Sequence, residues 1–342
     1  MTNDAEGLPE GFIESDETVV LTPKITAQLR QTASSRPRSV ETFGRGFDLD
    51  AARNCKDKWW ADLLNLWRPA GVPSEGVGLR LAVRKGYLNF YRHGQSVARV
   101  NVTKGRLICS VHAKYVLPER EADLGQDYVE LEGDVLRLRK FVIGTYGVQS
   151  NVESWAKASA KWSGPEKRAI DVVLDRTDNI IDLEMGQPGT GLRMDAVSIE
   201  RENGVLWVAF WEAKMASDPR VRSRAEVVPG LLPKVLRQLS DYKAFVAADG
   251  NRKRVADAYR TTASVLIGIR EIADSMGPAH PLGQEIIDSA QSQSLAVRPN
   301  ARLLIFEPDE RAWPKHEKKL RDAGVDLHVA DMTAKLVWDG RS

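Results

Sequence analysis

Three side chains in this sequence could do chemistry together: Asp195, Glu212 and Lys214, at the ends of the stretch DAVSIERENGVLWVAFWEAK. Side chains alternate between the faces of a strand. Asp195, Val197 and Ile199 therefore share one side of a first strand. Leu206, Val208, Phe210, Glu212 and Lys214 share one side of a second. A carboxylate or ammonium at the end of so apolar a strand is costly unless it is paired or holds a metal. Two converging carboxylates, a backbone carbonyl and waters make the oxygen-rich site that Mg²⁺ prefers. A lysine beside that ion can steady an attacking water or a pentavalent phosphate. The chemistry this predicts is metal-assisted hydrolysis of a phosphate ester.

Several elements must position these groups. Leu192 to Glu200 reads as a strand, Arg201-Glu202-Asn203-Gly204 as a turn, and Val205 to Lys214 as a second strand. The run VLWVAFW is apolar on both faces, which predicts a central, buried strand. Pro233 to Ala248 predicts a helix with Val235, Leu239, Tyr242 and Val246 as its apolar stripe. Gln238 and Tyr242 are four apart and lie on one side of it. Upstream, Val152–Ala160 predicts a helix. Gly164-Pro165 opens another over Glu166–Arg176, and Asn179–Met185 predicts a strand. Glu166 in the first turn and Glu184 at the strand end are competing candidates for a third carboxylate. Gly186 to Gly191 is a glycine-rich turn without the pattern of a phosphate-binding loop. Two more strands are expected at Arg302–Phe306 and Val325–Ala330, around a helix over Glu310–Ala323.

An Asp followed by Glu-x-Lys on a hairpin resembles the PD-(D/E)XK nuclease superfamily, with Met194 where a Pro usually precedes the Asp. Gln-x-x-x-Tyr on the following helix is similar to the extra motif of its RecB-type branch. The resemblance spans about Val152 to Ala330, roughly half the chain. It implies an α/β fold whose restriction-endonuclease-like core is a mixed central sheet flanked by helices. It implies Mg²⁺ as cofactor, with Mn²⁺ able to substitute. Asp195 and Glu212 would bind the metal with Glu184 or Glu166 assisting, Lys214 would act on the water and phosphate, and Gln238 and Tyr242 would support the site. The implied activity is that of a nuclease, with DNA as the expected substrate. Bacterial restriction or antiphage defence is the expected setting, since the core carries an added domain and no helicase or methyltransferase motif. A repair or recombination nuclease is one alternative. A non-catalytic nucleic-acid-binding or partner-docking protein on the same fold is another.

The front half matches no known pattern. Residues 1–45 read as a flexible polar arm with a short helix near Pro23–Gln31, and its Arg36, Arg38 and Arg45 either touch phosphate or stay solvated. Residues 46–150 read as an N-terminal α+β accessory domain. A helix over Asp50–Trp67 leads into an antiparallel sheet of strands near Leu79–Val83, Tyr87–Arg92, Ser96–Val102 and Arg106–Tyr115. Arg84, Lys85 and Arg92 alternate there with Tyr87, Phe90 and Tyr91. That mixture suits a nucleic-acid backbone and its bases, and equally a sheet with one wet face. Arg220, Arg222 and Arg224 follow the site at every second position and would supply cations to a phosphodiester or remain solvated. Residues 151–342 make up the expected nuclease domain.

Composition sets the outer limits. The chain has 342 residues, is 42% hydrophobic and contains nine Trp, so it can bury a sizeable core. No apolar run approaches the roughly 18 residues of a membrane span. The acidic, polar start is unlike a secretory signal. Cys55 and Cys109 form neither a disulfide framework nor a zinc pattern, and a cytoplasmic location is expected. With a net charge of +2, a nucleic-acid partner would have to meet a local basic patch. Pairing into a homodimer is left open by the sequence.

Overall fold

The apolar hairpin predicted around residues 192–214 forms, as two antiparallel strands over Arg193–Glu202 and Val205–Met215. The computed structural model describes residues 12–15, 18–21, 43–117, 127–186, 193–222, 233–248, 250–308 and 311–330. These form nine α-helices, two large sheets and a separate two-stranded hairpin, β1 (Phe12–Ser15) with β2 (Thr18–Leu21). The helix expected near 23–31, together with Arg36, Arg38 and Arg224, lies outside the described residues. No helix among the described residues is long and apolar enough to cross a membrane.

The single helix expected over Asp50–Trp67 is two helices, α1 (Leu49–Asn54) and α2 (Lys58–Leu66). The Asp48 side chain accepts from the Asp50 and Ala51 N–H groups and starts α1, a cap position two residues earlier than the expected Asp50. Extended backbone at Cys55 and Asp57 breaks the helix. The break lets Trp59 and Trp60 bury together, with the Trp60 indole N–H donating to the Ala52 carbonyl at 3.1 Å. A meander of seven antiparallel strands follows. It comprises β3 (Arg80–Val83), β4 (Tyr87–Arg92), β5 (Gln95–Thr103) and β6 (Arg106–His112). After the short helix α3 (Ala113–Val116) it continues through β7 (Tyr128–Glu132), β8 (Val135–Leu138) and β9 (Phe141–Thr145).

The second half runs α4 (Val152–Ser159), α5 (Pro165–Arg176), β10 (Ile180–Gly186), β11 (Arg193–Glu202), β12 (Val205–Met215) and α6 (Lys234–Ala247). It then continues α7 (Asn251–Met276), α8 (Gln284–Gln291), β13 (Ala296–Val297), β14 (Arg302–Phe306), α9 (Trp313–Asp322) and β15 (Leu327–Val329). The strands order as β10-β11-β12-β14-β15. The first three are antiparallel, β14 and β15 join in parallel, and the short β13 pairs the early part of β12. Strand β12 is thus central, as its apolar run requires. Val208 and Phe210 on one face join a large cluster with Tyr242 and Tyr259. Trp211 and Ala213 on the other pack with Ile170, Val173 and Leu174 of α5.

The same large cluster contains Trp60, Phe90 and Val111 of the front half and Val197 and Phe210 of the back half. The expected division near residue 150 therefore separates the two sheets but not their core. Polar ties reinforce the seam. Buried Asp182 on β10 receives Arg84 at 2.5 Å, Arg45 at 3.0 Å and the Tyr259 hydroxyl at 3.1 Å. Burial alone would raise the Asp182 pKa, but Arg84 and Arg45 outweigh it and hold the carboxyl below its usual value.

Candidate active site

The hairpin register sets the site. Val197 lies opposite Phe210 and Ala196 opposite Trp211, so one further step brings Asp195 opposite Glu212. Asp195 accepts the Ala213 backbone N–H at 2.7 Å, which fixes its carboxylate against the end of β12. Lys214, two residues beyond Glu212 on the same face, turns back over it. Its ammonium lies 2.5 Å from Glu212 Oε1, 3.7 Å from Asp195 Oδ2 and 3.5 Å from Glu166 Oε1. It also donates to the Ala213 carbonyl at 2.6 Å. Glu212 and Lys214 are each only 2% exposed, whereas the Glu166 side chain reaches solvent. Glu166 arrives from the first turn of α5, where Pro165 opens the helix.

Three carboxylates thus surround one ammonium, and the charge is unbalanced. Burial and then the neighbouring Glu212 push Asp195 up to about 8. Burial likewise raises Glu212, against the pull of Lys214. For Lys214, burial disfavours the charge, but Asp195, Glu212 and Glu166 together outweigh it and raise its pKa. The Glu212 Oε2 atom is buried and has no hydrogen-bond donor. Among the described residues, no three or more His, Cys, Asp and Glu side chains are already grouped to hold a metal ion. What the site offers is two facing carboxylates, one with an unsatisfied oxygen, beside further acidic charge. A donor set of that kind suits Mg²⁺, which takes one or two carboxylates and fills its other positions with water and substrate oxygens.

Of the competing third carboxylates, Glu166 joins the cluster. Glu184 is held instead by Lys167 at 3.0 Å and Arg193 at 3.7 Å, with backbone in the left-handed region at φ 50°. Its expected role at the metal is corrected accordingly: its charge is already committed to two cations. The Gln-x-x-x-Tyr pair also divides. Tyr242 is fully buried against Phe210, its ring centroid 4.8 Å away, and donates to the Arg298 carbonyl at 3.2 Å. It is a core residue whose hydroxyl is committed to a backbone carbonyl, which corrects its expected role. Gln238 is half-buried one turn earlier, and its Oε1 is a buried acceptor without a donor. Helix α6 starts with Val235 in the cluster that contains Ile305, the register partner of Lys214, and passes on to Tyr242 over Phe210. Gln238 lies between these levels.

The basic residues sort by burial. Arg84 and Arg92 are buried in the structure. Arg84 holds Asp182 and backbone carbonyls of β10, while Arg92 donates to the Ser74, Gly78 and Gly76 carbonyls. Both are corrected from candidate phosphate contacts to structural cations, as is Arg45, which is buried on Asp182 and stacked on Phe43. Lys85 is exposed on the turn between β3 and β4. Arg220 stands at the mouth of the site, 2.5 Å from Asp218 and 3.7 Å from Glu166, with its side chain 43% exposed. Arg222 is half-buried and donates to the Ala216 carbonyl at 2.9 Å. Sequence reasoning passed over Trp162 and Gln95, which line a hollow shared with Glu166 and Arg220. Neither belongs to a motif, and they meet only through the docking of the two halves. No protein-family model, curated protein or solved structure matches this chain.

Proposed function

We propose that the chain is a metal-dependent nuclease that hydrolyses phosphodiester bonds in DNA, with a restriction-endonuclease-like core. The observation that carries this reading is the buried Lys214 ammonium, ringed by Glu212, Asp195 and Glu166 at the open end of a central strand. Three antiparallel strands followed, after the helices α6, α7 and α8, by the parallel β14 support the fold reading. Restriction or antiphage defence is the setting we carry forward with it.

Each side chain has a task that its position suits. Asp195 and Glu212 would hold Mg²⁺ or Mn²⁺. When bound, that ion would supply Lewis-acid polarisation of a phosphoryl oxygen and a more nucleophilic water. Lys214 has three N–H donors and directs two of them to Glu212 Oε1 and the Ala213 carbonyl. The third can orient water or donate to a non-bridging oxygen as charge builds there. Because the surrounding carboxylates raise its pKa, the lysine acts as a cation and donor and not as a base. Glu166 adds a third carboxylate at the mouth, and Arg220, braced by Asp218, offers a charge to the phosphate. Gln238 offers an unsatisfied amide oxygen from the helix above.

The rival reading is a nucleic-acid-binding or partner-docking protein without catalysis, in which Lys214 and not a metal ion balances Glu212. The deciding assay incubates the protein with plasmid, linear duplex, single-stranded DNA and RNA under Mg²⁺, Mn²⁺ or EDTA, beside Lys214→Ala. Cutting that needs metal and is lost in the variant supports the nuclease. Binding without cutting under every metal refutes it.

A further inference from the structure

Beside the carboxylates lies a hollow of about 410 Å³, lined by Gln95, Trp162, Gly164, Glu166, Lys167 and Arg220 among others. We propose that it receives an unpaired nucleobase of the substrate, stacked on Trp162, so that single-stranded nucleic acid is bound in preference to blunt duplex. The proposal rests on the nuclease reading for the nature of the ligand. The volume falls within the range of small-ligand sites. Trp162 is 41% exposed, although large aromatic side chains are usually covered. The Lys114 ammonium lies 4.0 Å from its ring centroid. That cation covers one face of the indole, so a base would stack on the opposite face, with Lys167 and Arg220 of the hollow as cations for its phosphate. Glu166 lines this hollow and also approaches Lys214, so a base lodged here would present its neighbouring phosphodiester to the carboxylates.

The front sheet builds the platform. The turn between β4 and β5 clamps the segment that bears Trp162. Gln95 Nε2 donates to the Trp162 carbonyl at 2.9 Å, and Ser163 Oγ donates to the His93 carbonyl at 2.7 Å. Lys167 donates to the Gly94 carbonyl at 3.0 Å, and the His93 N–H donates to Asp171 at 3.0 Å. Glycine is required in this turn. Its φ is +66°, and a Cβ on Gly94 would come within 2.7 Å of the Lys167 side chain. Lys114 comes from α3 of the same half. The two halves therefore meet at the hollow, which gives the front sheet a role in substrate choice. A base inside a duplex is stacked between its neighbours and cannot reach a side hollow without leaving the helix. An unpaired base pays far less, and stacking accepts any base.

The test reads binding without cleavage, by fluorescence anisotropy in EDTA. A labelled oligonucleotide of about 20 nucleotides, single-stranded or as a blunt duplex, is titrated with the unmodified chain, Trp162→Ala and Trp162→Phe. The single strand should bind more tightly. Trp162→Ala should weaken it at least about fivefold, the equivalent of ~1 kcal/mol of stacking, while Trp162→Phe stays within about twofold. Duplex binding should shift less than about twofold in both variants. Unchanged single-strand affinity in Trp162→Ala, equal losses on both substrates, or no single-strand binding at all overturns the proposal. These results separate from the nuclease reading. A chain that binds through Trp162 but never cuts with Mg²⁺ or Mn²⁺ keeps the hollow and loses the nuclease. A chain that cuts while Trp162→Ala binds normally does the reverse.

Discussion

Replacing Lys214 with methionine keeps most of the unbranched stem of the side chain and removes its ammonium. In the metal-free protein this leaves Glu212, Asp195 and Glu166 facing one another with Lys214 gone from their centre. Removing one partner of a buried ion pair costs about 3–5 kcal/mol when the remaining charge cannot be neutralised. For a chain of this length that corresponds to a fall in Tm of roughly 4–7 °C. The carboxylates can escape part of this cost by taking up protons, so the loss should depend on pH. Asp195 is pushed up to about 8 in the folded protein, from an ordinary value of 3.8, by burial and by Glu212. A carboxyl with a raised folded pKa stabilises the fold fully below its unfolded pKa. That contribution drains away as pH rises toward the folded value. The metal-free protein should therefore lose stability between about pH 4 and pH 8, and Lys214→Met should lose it more steeply. Calorimetric melts in EDTA at about pH 5 and about pH 9 check this: the deficit of the variant should be small at the acid end and near its full size at the basic end. Mg²⁺ should then restore more stability to the variant than to the unmodified chain. A deficit that is the same at both pH values, or below about 1 °C throughout, would show that the ammonium does not balance these carboxylates.

Other outcomes follow from the same geometry. Tyr242→Phe removes one hydrogen bond to the Arg298 carbonyl and should cost about 1 kcal/mol of stability while leaving cleavage within twofold, measured by melts and plasmid nicking. Arg84→Met leaves the fully buried Asp182 with Arg45 and the Tyr259 hydroxyl as its remaining partners and should cost about 3 kcal/mol by denaturant titration, although Arg84 lies outside the proposed chemistry. Mg²⁺ binding must displace protons held by the raised carboxyls. Titration calorimetry in buffers of different ionisation enthalpy should register proton release below about pH 8, and Asp195→Asn should reduce it.

The meeting of Asp195, Glu212 and Lys214 was legible because it is local. A register fixed by the turn at Asn203 and Gly204, both with positive φ, suffices to bring Asp195 opposite Glu212, and alternation does the rest. The helix that begins at Pro165 likewise delivered Glu166. What the sequence misassigned depends on partners far away in the chain. Arg84 reads as a turn cation until Asp182 arrives beneath it, and Arg92 reads the same way until the Ser74–Gly78 loop folds over it. Helical spacing placed Gln238 and Tyr242 on one side of α6, but it carries no information on where the helix crosses the sheet. One turn of helix covers about the same distance as two strand residues. With Tyr242 over Phe210, the pair cannot both stand at Glu212. The break at Cys55 was hidden for the same reason, since two adjacent Trp bury together only against the distant meander.

The central claim is that Asp195 and Glu212 together ligate a divalent cation beside Lys214. It is tested most directly by locating Mn²⁺ from its anomalous scattering in crystals of the protein. One strong peak is expected within about 2.0–2.4 Å of a carboxylate oxygen of each residue, absent in Glu212→Gln crystals. No peak between the two side chains at saturating Mn²⁺, or a peak elsewhere that Glu212→Gln leaves in place, would contradict it.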